Sequence, residues 1–238
     1  AGAQTVGPGP VAPITLSTGT LSVVGGTSVT STGAAARTTG GALTLDTSLG
    51  AQAGAAITLT TSGGGGHGIY LTGGSLSILN GPIRITTAGV EASGIWVQNA
   101  GVTATALAGG LDIRTTGAMS GAAVGSYGLL ASNSTTMRVD GATILIDGAG
   151  STGPYAYGGN ISLAHVSVRT TAINPLMIGT TSYGAYGVVA NLQSGVRATV
   201  SMTDGSIDTA GTSGIAAYAN NSDMTLARVN VTTLGSKA

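Results

Sequence analysis

The sequence predicts an all-β chain wound as a right-handed parallel β-helix, a β-solenoid of about eight rungs with three short strands each. Three observations carry that expectation. A degenerate unit led by glycine recurs: Gly-Ile-Tyr-Leu-Thr at 68–72, Gly-Ile-Trp-Val-Gln at 94–98, Gly-Leu-Leu-Ala-Ser at 128–132, Gly-Val-Val-Ala-Asn at 187–191 and Gly-Ile-Ala-Ala-Tyr at 214–218, with a weaker copy at 158–162. The leading glycines stand about 26–34 residues apart, the length of one supersecondary unit stacked on itself. Within each unit apolar and polar residues alternate with the period of a strand. Composition agrees: 42 glycines, no phenylalanine and only 7% charged residues describe short strands and tight turns around a slender core.

In chain order, residues 1–13, with Pro8, Pro10 and Pro13, lack alternation and read as an extended leader or N-terminal cap; 14–238 read as the β-helix. Residues 14–16 and 21–23 supply the first strands, 43–45 and 57–59 the next. Gly63 to Gly66 make a turn into the clearer repeats. A second signal closes most units, as in Ile-Arg-Ile-Thr-Thr at 83–87 and Val-Arg-Thr-Thr at 168–171. Corners are expected at Asn80-Gly81, Asp140-Gly141, Asp147-Gly148 and Asp204-Gly205, where such pairs supply positive φ. Stacking at ~4.8 Å per rung gives a rod of roughly 38 Å, and the bias of parallel crossovers sets the right-handed default.

The phase of the repeat follows from its composition. Ile69, Ile95, Leu129, Val188 and Ile215, and two places on Leu71, Val97, Ala131, Ile161, Ala190 and Ala217, are expected to point inward. Tyr70, Trp96, Leu130, Asn160, Val189 and Ala216 then face out, as do Thr72, Gln98, Ser132, Ser162, Asn191 and Tyr218.

Eight basic residues balance eight acidic ones. That leaves no basic stripe for nucleic acid and no polybasic handle for anionic lipid. No apolar run reaches the ~20 residues of a membrane helix, so no membrane insertion by this segment is expected. The absence of cysteine excludes disulfides and thiolate chemistry, and suits a chain that stays unfolded during export.

The stretches 206–220 and 113–117, with the Tyr-Gly-Leu-Leu-Ala-Ser-Asn unit at 127–133, resemble the passenger domains of Gram-negative autotransporters, the pertactin-like right-handed β-helices. The resemblance covers about residues 67–238. It implies extracellular or cell-surface display at the outer membrane through a translocator barrel, and the roles such passengers carry, among them adhesin, protease and toxin.

Chemistry-bearing constellations are sparse. The acids Asp46, Glu91, Asp112, Asp140, Asp147, Asp204, Asp208 and Asp223 offer no pair at glycosidase spacing: Asp140 and Asp204 occupy similar corners two rungs apart. His67 and His165 lie rungs apart and read as surface or strand residues, without the partners of a metal site or proton relay. No nucleophile elbow, phosphate loop or calcium repeat occurs. No catalytic residue, metal or cofactor is therefore expected. Single arginines per unit (Arg84, Arg114, Arg138, Arg169, Arg197, Arg228) read as solubilising.

Two aromatic groups remain as candidate binding residues. Tyr127, Tyr157 and Tyr186, each just ahead of a leading glycine, should form a ladder at one corner. Tyr70 and Trp96 should be neighbours on the outer face, suited to a sugar or protein partner. The expected function is a non-enzymatic adhesin or stalk segment. Its partners would be a host cell-surface or extracellular-matrix protein or glycan, with self-association of two rods as a variant; a polysaccharide-cleaving enzyme is the alternative.

Overall fold

A computed structural model describes residues 4–235, apart from positions 100, 108, 122, 123 and 173. The described residues contain strands and turns and no helix, and so none long and apolar enough to cross a membrane. Twenty-two strands form one sheet whose pairings are parallel throughout, consistent with a β-solenoid. A short antiparallel hairpin, Leu176–Ile178 with Thr181–Tyr183, stands apart from it.

Each strand pairs with the one lying a full turn away along the chain, which divides the sheet into three faces. On face 1, residues 14–16 pair with 36–38, these with 69–71, and the series runs on through Ile95–Val97, Tyr127–Ser132, Thr152–Tyr157 and Tyr186–Asn191 to Ile215–Asn220. Face 2 stacks Thr20–Val24 through Thr103–Ala106 and Thr136–Asp140 to 223–227. Face 3 stacks Thr27–Ser31, Ile57–Thr61, Ile83–Thr87 and Leu111–Thr115 through to 230–233. The first face thus counts eight rungs from Ile14. Gln4–Val6 and Gly9–Val11, within the expected leader, pair with 21–23 and 27–29 and lie under the first rung.

The interior is a set of axial columns. Ile69, Ile95, Leu129 and Val188 are each at most 1% exposed, and Leu71, Val97, Ala131 and Ala190 lie buried two places on. Face 3 contributes Ile57 and Ile83, then Ile85, Ile113, Ile144 and Ile207. Each inward Leu or Ile stabilises by ~1.5–3 kcal/mol.

The leading glycines have a steric cause. The chain turns from face 3 into face 1 there, and the methyl of a face-3 side chain occupies the corner. A Cβ on Gly94 would stand 2.4 Å from Ile113 Cγ2 and 2.6 Å from the Gly128 carbonyl oxygen; Gly68 and Gly187 meet Ile85 and Ile207 in the same way. Gly94→Val should cost about 3 kcal/mol or more, read as a lower urea midpoint. Gly121→Ala, which would enter open space, should leave it within ~0.5 kcal/mol.

The register corrects two repeats. Tyr127 pairs with Thr152 and Leu129 with Pro154, so the glycine opposite Gly128 is Gly153, not Gly158. Asn160 and Ile161 belong to face 2, beside Thr136 and Met137. In the last unit Tyr186 pairs with Ile215 and Val188 with Ala217, which puts Ala216 at the glycine position. Ala216 is accordingly buried, and Tyr218 moves into the outward column headed by Tyr70.

Of the four expected corners two have positive φ and two are corrected. Gly141 has φ +72°, and at 204–205 Asp204 takes the left-handed conformation, at +53°. A short polar side chain tolerates that region. Gly81 and Gly148 do not adopt positive φ; a Cβ on either would instead meet backbone of the neighbouring rung, at 2.6 Å from the Gly109 oxygen for Gly81.

Candidate functional site

The outer side of face 1 gathers most of the aromatic side chains. Register puts Tyr70, Trp96, Leu130, Tyr155, Val189 and Tyr218 in one outward column, one per rung. Leu130 and Val189 point outward yet are 7% and 5% exposed, because the rings beside them cover them. Tyr70 and Trp96, expected as neighbours, stack with centroids 4.7 Å apart. Arg37 lies over Tyr70 at 5.5 Å, a cation–π contact that closes this end of the stripe.

The tyrosine ladder is corrected. Tyr127 and Tyr186 share one column, but the residue between them is Thr152. Tyr157 sits at the other end of the strand, opposite Ser132 and Asn191. Rings meet diagonally instead: Tyr155 stacks on Tyr127 at 4.9 Å and on Tyr157 at 5.8 Å, and Tyr186 meets Tyr218 at 6.0 Å. The mistaken glycine at 158 caused the error.

Between these rings runs a groove of about 520 Å³, within the range of small-molecule sites. It is lined by Trp96, Leu130 and Tyr155 from the outward column, by Val124 and Tyr127 from the start of their strand, and by Gln98, Tyr157 and Gln193 from the far ends of theirs. A smaller depression of about 220 Å³ continues it over Tyr155, Tyr186 and Tyr218. Polar groups are tied to the rims. Trp96 Nε1–H donates to Ser132 Oγ at 3.0 Å, Tyr70 O–H to Gln98 Oε1 at 2.6 Å, and Asn191 Nδ2–H to Tyr155 Oη at 3.0 Å.

His67 closes one end and is 7% exposed rather than a surface residue. Its ring packs against Tyr70 at 5.1 Å and edge-on to Trp96 at 4.8 Å. Ser93 N–H donates to Nδ1 at 3.0 Å, so the neutral ring carries its proton on Nε2. Burial lowers its pKa to about 4. Burial pushes the Tyr127 phenol up to about 12, and raises Tyr155 and Tyr186 above the ordinary value. At neutral pH the groove therefore holds one formal charge, Glu91, the single carboxylate among its described lining residues.

Most of the remaining acids are engaged at corners and on other faces. Asp147 pairs with Arg114 at 2.7 Å and accepts from Thr171. Asp46 accepts from Ser48 and Asn80, and the Ser48 hydroxyl leads in holding its pKa below the ordinary value. Asp140 meets His165 at 2.8 Å, and Asp204 takes two hydrogen bonds from Arg228 at 2.5 and 2.8 Å. Among the described residues no group of three His, Cys, Asp or Glu side chains could hold a metal ion.

The sequence reading missed Tyr155, Tyr218, His67 and Glu91. Tyr155 was within reach, since Tyr155 and Tyr157 two apart on a strand share a face. The others needed the register. Compared with protein-family models, with curated proteins and with solved structures, the chain matches none.

Proposed function

We propose that this chain is a segment of a right-handed β-helix displayed on a cell surface or secreted, acting as an adhesin or a stalk, with face 1 as its adhesive surface. The observation that carries the reading is the aromatic stripe and groove along one face, wide enough for a ligand and holding one carboxylate. Partly exposed Tyr and Trp are the residues that dominate recognition surfaces. Stiffness comes from the stacked strands, and repetition along the axis lets weak contacts add. The resemblance to autotransporter passengers supports display at a Gram-negative outer membrane. The expected partner is a host-cell or matrix glycan or protein, with association between two rods as the variant.

Polysaccharide cleavage is the competing reading. Hydrolysis by acid and base or nucleophile asks for two carboxyl groups ~5–9.5 Å apart across the bond, and the groove offers Glu91 alone among its described lining. Adhesion of the purified chain to epithelial cells and to matrix-coated surfaces tests the proposal. The double variant Trp96→Ala/Tyr155→Ala should lose about tenfold or more in apparent affinity, with its strand circular dichroism unchanged. Equal adhesion by parent and variant would remove face 1 from the account. Release of reducing sugar from a polysaccharide panel would overturn the non-enzymatic part.

A further inference from the structure

The groove end formed by His67, Glu91, Ser93 and Trp96 has hydrogen-bonding groups that the protein leaves unused. His67 accepts from Ser93 N–H through Nδ1, which commits Nε2–H to donate, and among the described residues it meets no oxygen or nitrogen acceptor. Ser93 Oγ is buried and has no hydrogen-bond partner among the described residues. Buried polar groups are normally satisfied, so the Ser93 hydroxyl asks for an explanation, while His67 Nε2–H is free to donate into the groove. Farther along, Gln193 Oε1 accepts from Asn133 N–H at 2.8 Å, leaving its amide N–H groups without a partner among the described residues.

We infer that the groove binds an uncharged oligosaccharide lying along the solenoid axis, with His67 Nε2–H donating to a sugar oxygen at one end. This rests on face 1 being the adhesive surface and names the ligand chemistry of that surface. A sugar ring has apolar C–H faces and a rim of hydroxyls. The groove offers matching chemistry: the aromatic side chains of Trp96, Tyr127, Tyr155 and Tyr157 supply apolar surface, and amide and hydroxyl groups lie among them. From the rung that follows His67 to the rung of Tyr155 and Tyr157 it spans three spacings, roughly 14 Å, which calls for a chain of sugars rather than one.

Charge selects the class. No Lys or Arg lines the groove among the described residues. An acidic glycan would therefore meet Glu91 with no cation to offset its desolvation. A hydroxyl-rich neutral chain meets donors, acceptors and aromatic side chains. A flat protein partner would leave His67 Nε2–H buried and unpaired beneath it.

Titration calorimetry with cello-, manno- and galacto-oligosaccharides, against polygalacturonate and heparin oligosaccharides, tests the inference. At least one neutral series should bind, with affinity rising with chain length, and the acidic series should bind at least about tenfold more weakly. Trp96→Ala and Tyr155→Ala should each weaken binding about tenfold or more. His67→Asn keeps an acceptor for Ser93 N–H but has no group at the Nε2 position; it should retain the parent's circular dichroism and weaken binding about tenfold. Acidic oligosaccharides binding as tightly as neutral ones would overturn the inference. So would no sugar binding while Trp96→Ala still abolishes cell adhesion, an outcome that leaves face 1 adhesive toward a protein. Cell adhesion indifferent to Trp96→Ala would instead sink the underlying reading. Full affinity in His67→Asn would remove His67 from the site.

Discussion

Ile95→Asp should lower the unfolding free energy by about 4 kcal/mol or more, the largest effect expected of any single change here. Ile95 is 1% exposed and sits in register between Ile69 below and Leu129 above. Removing the isoleucine forfeits ~1.5–3 kcal/mol of burial. The introduced carboxyl finds only aliphatic side chains, so it must stay protonated or pull water into the column, at a further cost of a few kcal/mol. Ile95→Val, which keeps the shape and drops one methylene, should cost only ~0.5–1.5 kcal/mol. Urea unfolding reads both. An unchanged midpoint for Ile95→Asp would mean that residue 95 faces solvent, and every column would move with it.

Acid should destabilise the fold through His67 before the carboxylates titrate. Burial holds the native ring neutral down to about pH 4, whereas the unfolded chain takes up the proton near pH 6.5. A depressed native value makes the unfolded state bind more protons throughout that window. Stability is therefore fully present above pH 6.5 and falls as pH drops toward 4. The loss levels off below that. At 1.36 kcal/mol per unit the loss is about 3 kcal/mol. His165 works in the opposite sense: Asp140 raises its pKa, so its contribution is present below pH 6.5 and fades as pH rises through the native value. That residue is open to solvent, and screening keeps its effect small. Unfolding midpoints at pH 7 and 4.5 should diverge in the parent and converge in His67→Asn, which has no titrating ring. A parent with no loss between those pH values would mean that the His67 ring is solvated.

Much of the fold was legible because the inward columns repeat in kind. Gly68, Gly94, Gly128 and Gly187 mark the same corner, and Ile69, Ile95, Leu129 and Val188 follow it inward. The reading failed where side-chain chemistry broke the motif without breaking the backbone. At 152–157, Pro154 and Tyr155 replace the expected aliphatic pair, while 158–162 on face 2 imitates the unit, since all three faces share the in–out–in alternation. Ala216 in place of glycine shifted the last unit by two residues. The aromatic candidates shared one face, but their partners were not visible. His67 is covered by Trp96 and bonded by Ser93 from the following rung, and that proximity exists only once the register is fixed.

Register is thus the claim on which the groove, its charge and its ligand all depend, and the absence of cysteine allows it to be measured cleanly. Thr105 pairs with Arg138 on face 2, and Arg138 in turn with Ser162. Thr105→Cys/Arg138→Cys should close a disulfide under mild oxidation, because strand neighbours stand ~5 Å apart, within disulfide reach. Thr105→Cys/Ser162→Cys, two rungs apart at ~9.6 Å, should stay reduced. Rapid oxidation of the second pair with none of the first would contradict the stacking described here.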